Sequence, residues 1–214
     1  MKLLFKSVAM AAALGAASLA SAQNWPIYGG DEGNQRYSQA SQITPANVNK
    51  LTVKWALQLG TNRSQESTPI LVGDTLYVTS SFGPKNVFAV NARTGDVRWK
   101  YSPEMPKGVD QYACCDVNSR GVSYNDGKIF FGRLDAQITA LDAKTGKEIW
   151  TSKVVDYTQG SAITSPPTLV KNMVITGFAG GEYGVRGALV ALDQATGKEI
   201  WRTHTVPLGN EKNA

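Results

Sequence analysis

The chain has 214 residues, of which 22 are Lys or Arg and 17 are Asp or Glu, giving a formal net charge of +5. The basic residues are scattered singly, so they form none of the stripes that nucleic-acid binding requires. The single histidine, His204, excludes a zinc site of the HExxH type, and the sequence contains no Cys-x-x-Cys-His haem attachment motif.

The first 22 residues have the three zones of a secretory signal peptide. Two lysines are followed by an apolar run over residues 8–19 and by the small residues Ala20, Ser21 and Ala22. The apolar run is shorter than the roughly 20 residues that span a bilayer. We therefore predict cleavage near Ala22, a mature chain without a transmembrane segment, and export to the periplasm, where disulfides persist.

Three near-copies of one peptide recur at a fixed interval. They occupy residues 89–99, 140–150 and 191–201, and each begins 51 residues after the one before it. Every copy has a Thr-Gly pair between two runs that suit strands, with a glycine that can adopt positive φ, and every copy ends on tryptophan. The pattern predicts a hairpin whose second strand carries the tryptophan.

A second candidate hairpin precedes each copy, over residues 70–78, 122–131 and 168–176. Two hairpins per period make four strands, and four-stranded units repeating at about this interval are typical of β-propeller blades. The tryptophan would dock between adjacent blades and supply apolar area that each small sheet cannot bury alone. A parallel β-helix is the structural alternative, although its repeats are shorter.

The number of periods predicts an incomplete ring. Propellers close with about 4 to 8 blades, whereas this sequence has three full periods and a stretch over residues 25–55 that could form one partial blade. We therefore expect an all-β fold in which residues 23–214 form about three to four blades, or half of a propeller.

Two segments depart from the repeat, and the first covers residues 111–121. It contains the adjacent Cys114 and Cys115, the only cysteines in the chain. A disulfide between adjacent cysteines closes a ring that includes the peptide bond between them. The ring is strained, because the Cα atoms lie about 3.8 Å apart, which is below the usual range for a disulfide. The alternative is a pair of unpaired or intermolecular thiols, which are poorly tolerated in an oxidising compartment.

The second departure covers residues 177–187 and has five glycines in eleven residues. Such a segment lets the backbone approach a ligand closely, and its successive N–H groups can cradle carboxylate oxygens. Glu182 lies in the middle and could supply a pair of oxygens to a hard cation. The alternative is a glycine-rich loop with a solvent-facing glutamate.

The two departures and the repeats together resemble the quinoprotein alcohol dehydrogenases. This family of eight-bladed propellers includes methanol and ethanol dehydrogenases that use pyrroloquinoline quinone (PQQ). The resemblance covers essentially all of the mature chain. The matching features are Trp25, residues 34–38, Cys114-Cys115-Asp116 followed by Arg120-Gly121, the tryptophan repeats, and residues 181–187.

The resemblance implies a role for nine residues. Cys114 and Cys115 would form a vicinal disulfide against one face of the quinone, and Arg120 would pair with one of its carboxylates. Glu66 and Thr164 would contact the cofactor edge. The backbone cradle would consist of Ala179, Gly180 and Gly181, and Glu182 would bind the cation, which is Ca²⁺ or a lanthanide.

The resemblance also implies limits. Ser119 stands where the family commonly has asparagine before the arginine. The aspartate that takes the alcohol proton, the tryptophan on the other quinone face, an asparagine ligand of the cation and a second arginine lie further along in the family, so no catalytic residue is assigned. We expect a periplasmic enzyme that oxidises a primary alcohol and passes electrons to a cytochrome c, and we expect the 214-residue chain alone to be inactive.

Two other functions fit parts of the sequence. The tryptophan repeats alone would suit a non-catalytic propeller scaffold that binds proteins, as in the outer-membrane assembly machinery. A sugar-oxidising quinoprotein would share the cofactor but not the Cys114-Cys115 pair. A scaffold would need neither that pair nor Glu182, which favours the alcohol dehydrogenase.

Overall fold

The computed structural model describes residues 24–63, 65–80, 87–113 and 117–209. These residues form twelve strands in three four-stranded sheets. In chain order the strands are β1 Ile70–Val72, β2 Thr75–Thr79, β3 Val87–Asn91, β4 Val97–Tyr101, β5 Ser123–Asn125, β6 Lys128–Gly132, β7 Gln137–Asp142, β8 Glu148–Lys153, β9 Thr168–Val170, β10 Met173–Thr176, β11 Ala188–Asp193 and β12 Glu199–His204. Four short 3-10 helices lie between them, at Val48–Lys50, Val109–Tyr112, Tyr157–Gln159 and Gly181–Tyr183.

Each sheet is an antiparallel meander of four consecutive strands, β1 to β4, β5 to β8 and β9 to β12. The two hairpins predicted for each period are therefore confirmed, and a parallel β-helix is excluded for these residues. Four-stranded antiparallel sheets at a period of 51 residues are propeller blades, so the all-β propeller prediction is correct. The described strands form part of a ring.

The turn between the last two strands of each sheet is held by the residue that ends the third strand. The Asp142 carboxylate accepts hydrogen bonds from the backbone N–H groups of Lys144 and Thr145 and from the Thr145 hydroxyl. These donors, the Thr145 hydroxyl first among them, hold the pKa of Asp142 below its ordinary value. Gly146 completes the turn at φ +72°. Asp193 and Thr196 repeat the arrangement one sheet later.

The tryptophans of the first and second sheets each dock on the turn of the sheet that follows. Trp99 donates its indole N–H to the Ala143 carbonyl at 3.0 Å, and Trp150 donates to the Gln194 carbonyl at 3.1 Å. A Cβ on Gly146 would lie 2.6 Å from the Trp99 ring, so glycine is required there for close contact as well as for its φ. The predicted docking of tryptophan between blades is confirmed.

Adjacent strand residues fill the spaces on the two sides of the middle sheet. Phe131 packs with Ile70 and Val87 of the first sheet, whereas Phe130 packs with Val174 and Val190 of the third. Successive side chains of a strand point to opposite faces, so β6 contributes to both cores. Burying each phenylalanine is worth about 1.5–3 kcal/mol.

The N-terminal stretch differs from the expected partial blade. Over the described residues before β1 there is no strand, only the 3-10 helix Val48–Lys50 and an isolated bridge between Trp25 and Leu71. Trp25 therefore attaches this stretch to β1 of the first sheet and does not begin a separate sheet. The predicted signal peptide, residues 1–22, lies outside the described residues. Across the described ranges, no helix has the length and apolar character needed to cross a bilayer.

Candidate functional site

Three predicted site residues lie in equivalent positions of the three sheets. Glu66 precedes β1, Arg120 precedes β5 and Thr164 precedes β9. Backbone hydrogen bonds join these segments, since the Arg120 N–H donates to the Thr164 carbonyl at 2.8 Å and the Arg120 carbonyl accepts from the Thr68 N–H at 3.1 Å. The repeat of the fold therefore brings together residues that are far apart in the sequence.

The Arg120 side chain connects the other two residues. Its Nη2 lies 2.8 Å from a Glu66 carboxylate oxygen, and its Nη1 donates to the Thr164 hydroxyl at 2.6 Å. The Arg120 and Glu66 side chains are 40% and 39% exposed. The cluster is thus fixed by internal contacts but still open to a ligand.

Gly121 is needed for this arrangement. It has φ +124°, and a Cβ there would lie 2.8 Å from the Thr68 carbonyl oxygen. Any other residue would force the Arg120 and Thr68 segments apart, because their backbones touch at this point.

The glycine-rich segment is attached to the same region. Ala179 donates its N–H to the Ala162 carbonyl at 2.9 Å, two residues before Thr164. Gly180 then adopts φ +128° and caps the 3-10 helix Gly181–Tyr183. Because the Ala179 N–H is already bonded, only Gly180 and Gly181 of the three predicted cradle residues keep N–H groups without a hydrogen-bond acceptor among the described residues.

A cleft of about 390 Å³ lies between this segment and Thr164. Thr164, Phe178 and Ala179 line it, together with the prolyl ring of Pro166. Nearby, the Ser161 hydroxyl is fully buried and has no hydrogen-bond partner among the described residues. Sequence reasoning missed Phe178 and Ser161. The one available signal was that Phe178 is a large apolar residue next to Ala179 in the glycine-rich segment.

Glu182 lies in the first turn of the 3-10 helix Gly181–Tyr183 and is exposed. Within the described ranges, no three His, Cys, Asp or Glu side chains gather to hold a metal ion. Glu182 is therefore a single ligand candidate, and its metal role stays a prediction.

Cys114, Cys115 and Asp116 lie outside the described residues, so the predicted vicinal disulfide stays a prediction. The residues on either side of them are described. Val117 packs with Leu134 and Ala162 in a small buried cluster, and Ala113 packs against that cluster. Ala113 and Val117 thus both lie beside the segment that carries Thr164.

Ser119, which departs from the family pattern, is buried at 1% exposure. Its carbonyl accepts a hydrogen bond from the Thr79 hydroxyl at 3.2 Å. This bond attaches the segment before β5 to the end of β2. The backbone of Ser119 therefore helps to fix Arg120, whatever the size of its side chain.

Comparison with known proteins decides the family. The PQQ family model for the glucose/ethanol/alcohol dehydrogenase β-propeller domain matches residues 25–214. The chain belongs to this family. Among solved structures, a europium-containing methanol dehydrogenase superposes with a TM-score of 0.83 at 40% identity, covering 86% of this chain and 32% of that one.

Two curated relatives show how much of the length of similar proteins the chain represents. It is 41% identical to the lanthanide-dependent methanol dehydrogenase of Methylacidiphilum fumariolicum (strain SolV), over 85% of this chain and 30% of that protein. It is 40% identical to the quinohemoprotein alcohol dehydrogenase of Comamonas testosteroni, over 89% of this chain and 27% of that protein. The chain thus spans less than a third of the length of these relatives.

Proposed function

We propose that the protein oxidises a primary alcohol with pyrroloquinoline quinone and that the described residues provide a cofactor-binding part of the site. The observation that carries the proposal is the Arg120 guanidinium held between Glu66 and Thr164, in a chain of the PQQ family. The cluster joins the segments that precede the first strands of all three sheets.

The donor set fits a quinone with three carboxylates. Arg120 can bind a carboxylate through charge-assisted hydrogen bonds, and the Gly180 and Gly181 N–H groups can bind a second oxygen-bearing edge. Glu66 neutralises Arg120, so the cluster has little net positive charge of its own. Binding would therefore depend on hydrogen bonds and on a cation.

Each side chain would have one task. Arg120 and Thr164 would orient the cofactor, and the Glu66 carboxylate would accept a hydrogen bond from its edge. Cys114 and Cys115 would cover one face as a vicinal disulfide. When bound, the quinone supplies the acceptor for the hydride of the alcohol, because the cofactor and not the protein performs redox chemistry.

The cation would be Ca²⁺ or a lanthanide with Glu182 as one ligand. A carboxylate is a suitable ligand for either hard ion. The names of two relatives, one lanthanide-dependent and one europium-containing, support including lanthanides. Removing the cation with a chelator should weaken quinone binding, since the protein cluster is almost neutral.

The electron acceptor would be a cytochrome c in the periplasm. A relative from Thauera butanivorans, 39% identical over 84% of this chain, is named 1-butanol dehydrogenase (cytochrome c). Export is what the predicted signal peptide implies, and an oxidising compartment would permit the vicinal disulfide predicted between Cys114 and Cys115.

Quinone binding by Arg120 tests the proposal. PQQ is titrated into the chain with Ca²⁺ present, and the Kd is measured by calorimetry for the native chain and for Arg120→Met. Losing hydrogen bonds to a charged group should raise the Kd about tenfold or more. A native chain that binds no PQQ would favour the protein-binding scaffold.

Arg98→Met is the matched control. Arg98 also contacts a carboxylate at 2.8 Å, that of Asp74, and a threonine hydroxyl at 2.8 Å, that of Thr75. These contacts lie at the other end of β1 from Glu66. The control should leave the Kd unchanged, and equal losses in both variants would contradict a specific role for Arg120.

A further inference from the structure

The turn between β6 and β7 contains a buried ion pair. Arg133 donates from Nε to one Asp135 oxygen at 3.0 Å and from Nη2 to the other at 2.7 Å. The two side chains are 7% and 1% exposed. Gln137 adds a third hydrogen bond to the Asp135 carboxylate at 2.6 Å, so the buried charge is well satisfied.

The Arg133 side chain also binds the segment that precedes the cysteines in the chain. Its Nη2 donates to the Glu104 carbonyl at 3.0 Å and lies 3.6 Å from the Met105 sulfur. That segment continues into the 3-10 helix Val109–Tyr112, and Val109 packs on Leu134 of the same turn. One turn therefore holds this segment through a charged group and through an apolar side chain.

The backbone of the turn holds the segment that carries Thr164. The Arg133 carbonyl accepts a hydrogen bond from the Ile163 N–H at 3.1 Å. A Cβ on Gly132 would clash with the Ile163 side chain, so Gly132 and Ile163 are also in close contact. Ile163 immediately precedes Thr164, whose hydroxyl and carbonyl bind Arg120.

Stability alone does not account for a charged pair at this position. Desolvating two charges offsets most of their attraction, and well-packed apolar residues often serve as well or better in such places. The turn also places Ala136 at φ +54°, a conformation that residues other than glycine rarely adopt. A geometrically exact contact is what an ion pair adds over an apolar one.

We propose that Arg133 and Asp135 are positioning residues for the cofactor site. The pair fixes the segment starting at Glu104 against the segment ending at Thr164, and so helps to set where Arg120 lies relative to Thr164. Neither residue touches the ligand. The inference rests on the proposed function for its effect on quinone binding, but not for its effect on the protein itself.

The test combines hydrogen exchange of the ligand-free chain with PQQ titration. The main variant is Arg133→Met with Asp135→Leu, which removes both charges and keeps an apolar filling. We expect amides of residues 104–113 to exchange about tenfold faster, since their anchor is lost, while β9 and β10 keep their protection. We expect the Kd for PQQ to rise by a similar factor.

Arg202→Met is the matched control. Arg202 makes the same three contacts, donating from Nε and Nη2 to the Glu199 carboxylate and from Nη2 to the Val154 carbonyl, but its pair is 28% and 40% exposed. Its removal should change neither exchange over residues 104–113 nor the Kd. Should the double variant fail to fold, Arg133→Lys keeps the charge without the fork and should show the same changes at about threefold.

The outcomes separate this inference from the proposed function. Native exchange over residues 104–113 in a folded variant would overturn the positioning role. Faster exchange with an unchanged Kd would overturn the link to the site. If the native chain binds no PQQ, the proposed function fails, and the exchange measurement still decides whether the pair holds the two segments together.

Discussion

The two ends of the sheets differ in how they use the same repeated fold. At one end, the Thr-Gly turns are nearly identical in all three sheets, and each receives a tryptophan. Trp55 of the N-terminal stretch docks on the first turn, and Trp99 and Trp150 dock on the second and third. At the other end, the segments before β1, β5 and β9 occupy equivalent positions but carry a glutamate, an arginine and a threonine, and the arginine binds the other two. The end with the Thr-Gly turns, here called the stacking end, holds the blades together. The end with Glu66, Arg120 and Thr164, here called the site end, is therefore free to vary and to acquire chemistry.

The largest expected effect concerns the stacking end. Trp150→Ala should lower the free energy of unfolding by about 4 kcal/mol, since it leaves a cavity and an unpaired Gln194 carbonyl. Chemical denaturation measures the loss. Ile149→Ala is the control, because Ile149 is exposed, and should cost about 0.5 kcal/mol or less. Similar losses in both would break the comparison.

A smaller effect is expected where the site end needs a glycine. Gly121→Ala should cost about 3 kcal/mol, because it combines a disfavoured φ with contact against the Thr68 carbonyl. It should also weaken PQQ binding. Gly127→Ala, at φ +72° with open space around its Cβ, should cost only about 1 kcal/mol and leave binding intact. Thermal unfolding and calorimetry distinguish the two variants.

The smallest effect is a pH dependence of the stacking end. The Thr196 hydroxyl and backbone N–H hold the pKa of Asp193 below its ordinary value. A lowered folded-state pKa gives stability that is present above the unfolded pKa of about 3.9 and is lost as the pH falls through the folded value. Asp193→Asn should therefore flatten the stability profile below about pH 4, measured by acid titration of unfolding. An unchanged acid limb would contradict this account.

The stacking end was predictable from the sequence because its turns form from local residues and recur in every sheet. A Thr-Gly pair, a strand ending in Asp or Asn and a tryptophan recur at 51 residues, and this specifies hairpins and docking without any knowledge of distant contacts. The stretch before residue 56 lacks the Thr-Gly turn and has no described strand, although its Trp55 docks on the first turn as the repeat tryptophans dock on theirs. Periodicity predicts structure only where it is present.

The site end was predictable only through resemblance. Nothing in the sequence around Glu66, Arg120 or Thr164 indicates that they meet, since their contact depends on the stacking of three sheets. The Arg133–Asp135 pair was missed for a related reason, because two charges separated by one residue usually lie in a solvated turn. The hydrogen bond from the Ala179 N–H to the Ala162 carbonyl could not be predicted from the sequence either, because it depends on tertiary packing.

The most direct test is a crystal structure of the chain grown with PQQ and Ca²⁺. We predict quinone density at the site end, with a carboxylate within hydrogen-bonding distance of the Arg120 guanidinium and with Thr164 and the Gly180 backbone at its edge. Quinone bound at the Thr-Gly end, or bound elsewhere with Arg120 still enclosed by Glu66 and Thr164 alone, would contradict it.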